Sequence, residues 1–108
     1  MRLVVVESPY AGDVEANLTY ARAAMADALR RGEAPIASHL LYTQPGILDD
    51  AVPAERALGI AAGLLWAERA ELSAFYTDLG WSGGMLAARA WCLERGRPYE
   101  LRSIGAPS

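Results

Sequence analysis

Three short stretches gather the residue types that chemistry at a small-molecule site requires. The first, "SPYAGD" (residues 8–13), offers Ser8, Tyr10, Gly12 and Asp13. A tyrosine ring stacks on a base or bonds through its hydroxyl, and glycine lets backbone approach a ligand. The second, "HLLYTQPGILDD" (39–50), holds the only histidine, His39, and the acidic pair Asp49 and Asp50. The third, "TDLGWSGG" (77–84), holds Asp78, Gly80, Ser82, Gly83 and Gly84. A Ser-Gly-Gly turn entering a helix presents free N–H groups and the positive helix end, a seat for an anion. Asp78, Asp49, Asp50 and Glu7 are the carboxylates able to exchange protons there. Plainer roles compete: Gly12 as a turn, Asp13 as a helix cap, His39 as a structural side chain, Asp49 and Asp50 as solvated charge or a cap.

Alternating strands and helices place these stretches. Residues 3–8 read as a strand buried on both faces. Asp13 caps a helix with Val14, Leu18, Ala21, Met25 and Ala28 at helical spacing, closed by Arg30, Arg31 and Gly32. Residues 34–40 read as a second strand. Pro53 opens a second helix to about Arg69, in which Gly59 and Gly63 imply close packing. Residues 72–78 are a third strand. Met85 to Arg95 is a third helix ended by Gly96, and 98–104 a last strand at a sheet edge. The order βαβαβαβ predicts a three-layer α/β domain with a mainly parallel sheet of about four strands. In such folds ligands bind beyond the carboxyl ends of the strands. All three polar stretches fall on that edge, while "RRGE" and "RGRP" mark the other.

Composition narrows the function. A chain of 108 residues with 53% hydrophobic content is a single domain, 1–108. The formal charge of −3 without a basic run argues against duplex nucleic acid. One cysteine, Cys92, and one histidine cannot form a disulfide or a structural zinc site. The apolar run of "MRLVVVESPY" is too short for a signal peptide or membrane span, so a cytoplasmic protein is expected. Met25, Trp66 and Trp91 read as core or interface. Leu58, Leu64, Leu65 and Trp66 with Trp91 exceed what one sheet face needs, so a homodimer or larger assembly is expected.

"SPYAGD" with Asn17 downstream, "SHLLYTQPGILDDAVPAERALGIAAG" and "FYTDLGWSGGM", in this order, resemble the small, mostly bacterial and phage domains related to nucleoside 2-deoxyribosyltransferases. The resemblance spans nearly the whole chain. It implies a flavodoxin-like sheet, a nucleoside or nucleotide pocket and no cofactor or metal. On it, Ser8, Tyr10, Gly12 and Asp13 match the first loop, with Tyr10 and Gly12 on base and sugar. Asp49 and Asp50 match an acidic turn. Asp78, Gly80, Ser82 and Gly84 match the third loop, where Ser82 and the helix start take a 5′-phosphate. The relatives' nucleophilic Glu, in Ser-x-Gly-x-x-x-Glu, falls on Ala88. Glu94, the nearest Glu on that helix, is expected out of the pocket's reach. Two main readings follow. One is a nucleoside or nucleotide binder without catalysis. The other is an N-glycosidase or 2-deoxyribosyltransferase with a displaced acid, Asp78 being best placed to activate water. A third, an assembly subunit with a vestigial pocket, is disfavoured by the two retained loops.

Overall fold

Val4, Val5 and Val6 are buried in the middle of β1 (Leu3–Glu7), as expected of a strand covered on both faces. In the computed structural model, which describes residues 1–105, β1 and β3 are the two inner strands. The sheet order is β2-β1-β3-β4, with β2 (Ala34–Ile36), β3 (Leu72–Tyr76) and β4 (Tyr99–Arg102), and every pairing is parallel. The helices are α1 (Val14–Arg30), α2 (Pro53–Arg69) and α3 (Gly83–Arg95). The α/β three-layer expectation holds, with β4 at an edge. The reversal of strand order lies between β1 and β3.

Side chains alternate across β1. Val4 and Val6 join Tyr20, Ala24 and Ala28 of α1 with Leu72, Ala74 and Tyr76, which make one core. Val5 faces the other way, onto Ala67 and Ala70 with Ile36 and Trp91. That second cluster is small. Leu58, Ile60, Leu65 and Trp66 of α2 and Leu86 and Leu93 of α3 are all exposed. No helix among the described residues is long and apolar enough to cross a membrane.

Local signals set most boundaries. The Asp13 carboxylate accepts from the Ala16 N–H at 3.2 Å, a cap worth about 1 kcal/mol. Gly96 ends α3 at φ +63°, a left-handed stop that favours glycine. Gly63 packs against Ser38, where an added Cβ would lie 3.6 Å away, and Gly59 against Leu48; these are the close contacts expected of α2.

The differences have physical causes. The second strand stops at Ile36 and Ser38–Leu40 form a single 3₁₀ turn, so His39 sits on that turn. Pro35 removes a donor from a short edge strand, and the Ser38 carbonyl instead accepts from Leu41 and Tyr42. The other strands end a residue or two sooner than 3–8, 72–78 and 98–104, and α3 begins at Gly83 because Ser82 is its cap. The buried face of α1 is Asn17, Tyr20, Ala21, Ala24 and Ala28, with Val14 exposed. Alanines let the helix lie close to the sheet, and the turn of the helix carries the Tyr20 hydroxyl to Asp78.

Candidate functional site

The loop after β1 is held from below. The Asn17 amide donates to the carbonyls of Tyr10 (2.8 Å) and Ala11 (3.1 Å). Gly12 takes φ +100°, which favours glycine there although a Cβ would meet nothing within 4 Å. The Tyr10 ring stacks on the His39 imidazole, centroids 5.0 Å apart and planes 26° from parallel. Burial lowers the His39 proton affinity; the charges of Asp50 and Arg56 act in opposite senses, and a hydrogen bond to the Ser8 backbone favours the proton. Ser8 is itself 1% exposed, and its hydroxyl has no partner among the described residues.

Three recesses share walls around this stack. A cleft of about 390 Å³ between α2 and α3 is lined by Glu7, His39, Ile60, Gly84, Ala88 and Trp91, among others. A narrow recess joins Ser38 and His39 to Asp50, Glu55 and Arg56. A shallow depression of about 520 Å³ brings Tyr10 to Asp49, Asp50 and Glu55. The structure therefore gathers Tyr10, His39, Asp49, Asp50 and Gly84, and adds Glu7, Glu55 and Arg56. Glu55 and Arg56 escaped the sequence reading because first-turn charges on a helix usually face solvent; Glu55 accepts from the Asp49 N–H at 3.1 Å. Asp49 also bonds the Ala51 N–H, as a turn residue does.

Other candidates lie outside those linings. Asp13 spends its carboxylate on the α1 cap. Gly80, at φ +86°, closes a turn onto the Thr77 carbonyl. Ser82 accepts from the Met85 N–H at 3.1 Å, beside Gly83 and Gly84 at the start of α3. Glu94 differs from its expectation: it lines the α2–α3 cleft. Seven residues separate it from Ala87, almost two full turns, so both share one helix stripe about 10 Å apart.

Asp78 is fully engaged. One oxygen accepts from the Tyr20 hydroxyl (2.5 Å) and the Ile104 N–H (2.9 Å), the other from the Ser103 hydroxyl (2.6 Å) and the Gly105 N–H (2.9 Å). These donors, the Ser103 hydroxyl first, hold its carboxyl well below the usual carboxylate range. The Tyr20 hydroxyl accepts the Asp78 N–H in return. In this arrangement Asp78 clasps the segment after β4 and has weak proton affinity.

A doubly wound α/β domain with a cleft at the carboxyl edge, on the α2–α3 side, is the class that fold and recesses define. The chain belongs to the family described as Domain of unknown function (DUF7768), whose model matches residues 2–102. No curated protein matches it.

Proposed function

We propose that the protein binds a nucleoside- or nucleotide-type ligand at the carboxyl edge of its sheet. The observation that carries this reading is the stacked Tyr10–His39 pair at the junction of the α2–α3 cleft and the depression beside Asp50. Aromatic faces suit a base, carboxylates suit sugar hydroxyls, and a few hundred Å³ is the size class of small-ligand sites. The backbone N–H groups of Gly83 and Gly84, at the start of α3, would donate to a phosphate. With Ala88 in place of a nucleophile and Asp78 clasped, binding without turnover is favoured over N-glycoside cleavage. In calorimetry with a panel of nucleosides and monophosphates, Tyr10→Phe is expected to lose ~0.5–1.5 kcal/mol, and Tyr10→Ala more. Ser82→Ala should weaken nucleotides more than nucleosides. Unchanged binding by a folded Tyr10→Ala protein would refute the assignment, and free base released from the panel would restore the glycosidase reading.

We also propose that α2 and α3 form a homodimer contact. Leu58 (62% exposed), Leu65 (63%) and Trp66 lie along one side of α2, and Leu86 and Leu93 are exposed on α3. Large apolar side chains exposed in this number suit an interface. Light scattering should give twice the chain mass, and Leu65→Glu should halve it; a monomer at every concentration would remove the proposal.

A further inference from the structure

We propose that Glu7 is the acid that the α2–α3 cleft presents to its occupant, a proton-carrying carboxyl placed to donate to a basic ring nitrogen of a heterocyclic ligand. The inference deepens the nucleoside-type reading and rests on it for the ligand's class. Its geometry comes from β1. Alternation that sends Val4 and Val6 to α1 sends Val5 and Glu7 to the other face. Glu7 closes the strand and lines the cleft with His39, Gly63, Gly84 and Ala88. Glycines and alanines make those walls low, so a flat ring has room beside the carboxyl.

No donor or cation among the described residues bonds the Glu7 carboxyl, in contrast to the four donors on Asp78 and the arginines on Glu33. The titratable groups around it are His39 from the 3₁₀ turn, with lowered proton affinity, and Cys92 and Glu94 from α3. None of these lends it a compensating charge. Burial therefore pushes the carboxyl up to about 7, so near neutrality a large share of molecules holds the proton. The step needs no other reactant. The Glu7 O–H donates to the nitrogen lone pair and keeps its proton, because a low-dielectric cleft favours the neutral hydrogen-bonded pair over two separated charges.

Dicyclohexylcarbodiimide tests this on the whole chain. It reacts with protonated carboxyls in apolar surroundings: the acid proton goes to a carbodiimide nitrogen, the carboxyl oxygen to its central carbon, and rearrangement leaves a stable N-acylurea. Peptide mapping should find the adduct on Glu7 at pH 6.5 ahead of exposed acids such as Asp49 and Glu94. It should fall roughly tenfold or more by pH 8.5, as the protonated fraction does. A Glu7 left unlabelled at pH 6.5, or labelled no better than Asp49, overturns the proposal. Glu7→Gln keeps the side-chain shape and supplies the second arm. Binding of the nucleoside panel should weaken several-fold between pH 6 and 8.5 in the wild type and stay nearly flat in the variant. Equal pH slopes would overturn the role of Glu7 while leaving nucleoside binding in place. Absence of any binding would instead overturn the ligand class, and the labelling would still decide whether Glu7 holds its proton.

Discussion

Glu33→Ala is expected to lower the unfolding free energy by about 3–5 kcal/mol, the usual loss when one member of a buried ion pair is removed. Glu33, just before β2, accepts from both terminal nitrogens of Arg102 at 2.7 Å, and the two side chains are 5% and 2% exposed. Arg2 adds a third bond at 3.0 Å. Arg102 also donates to the Tyr76 hydroxyl (3.1 Å), which donates to Asp27 (2.8 Å). Alanine would leave a buried guanidinium with only the longer contact to half-exposed Glu100, at 3.4 Å, to neutralise it. Since whole domains are stable by only 5–15 kcal/mol or so, urea denaturation should show a large fall in midpoint. The paired change Glu33→Leu with Arg102→Met should recover much of it, because it removes both charges. A single variant within about 1 kcal/mol of wild type would mean that water reaches the pair. The Arg102 hydrogen bonds hold the Glu33 carboxyl below its ordinary value. Its contribution is therefore complete above the unfolded pKa, and is lost as pH falls through the lower folded value.

Glu7→Gln should act in the opposite direction. The Glu7 carboxyl stands at about 7 in the fold against 4.5 when unperturbed. A raised acid stabilises nothing below the unfolded value. From about pH 4.5 upward the unfolded chain ionises more readily, so the wild type loses stability until the folded group has also ionised, just above pH 7. Glutamine escapes this loss. The variant should match the wild type near pH 4 and exceed it at pH 8 by up to about 3 kcal/mol, less whatever solvent at the cleft mouth relieves. Thermal melts across that range measure it; parallel curves would show that the carboxyl ionises as an exposed one does.

Much of the framework was legible because local chemistry dictates it. Asp13, Pro53 and Gly96 mark helix ends through a side-chain acceptor, a preset φ and a left-handed stop, none of which needs tertiary context. The βαβαβαβ order and the carboxyl edge followed from connectivity. Contacts between distant residues were not legible. The donors on Asp78 come from Tyr20 and from residues 103–105, so its engagement cannot be seen from "TDLGWSGG". Glu7 ends an apolar run, and only the observed face of β1 turns it into the cleft. On α1, helical spacing places Ala21, Met25 and Ala28 toward the core, as found, but it does not reveal Asn17 and Tyr20, whose polar ends are buried through contacts with segments outside the helix.

The tie between Glu33 and Arg102 spans 69 positions, from the segment before the first edge strand to the end of the other edge strand. Closing so long a loop costs entropy, so this contact is expected to form after β1 has gathered its neighbours. An interaction absent from the transition state acts on one limb of a chevron only. Loss of the pair should hasten unfolding by orders of magnitude and leave the refolding rate almost untouched. The buried charges would then act as a latch on the finished fold, setting how long the native state lasts and not how quickly it is reached.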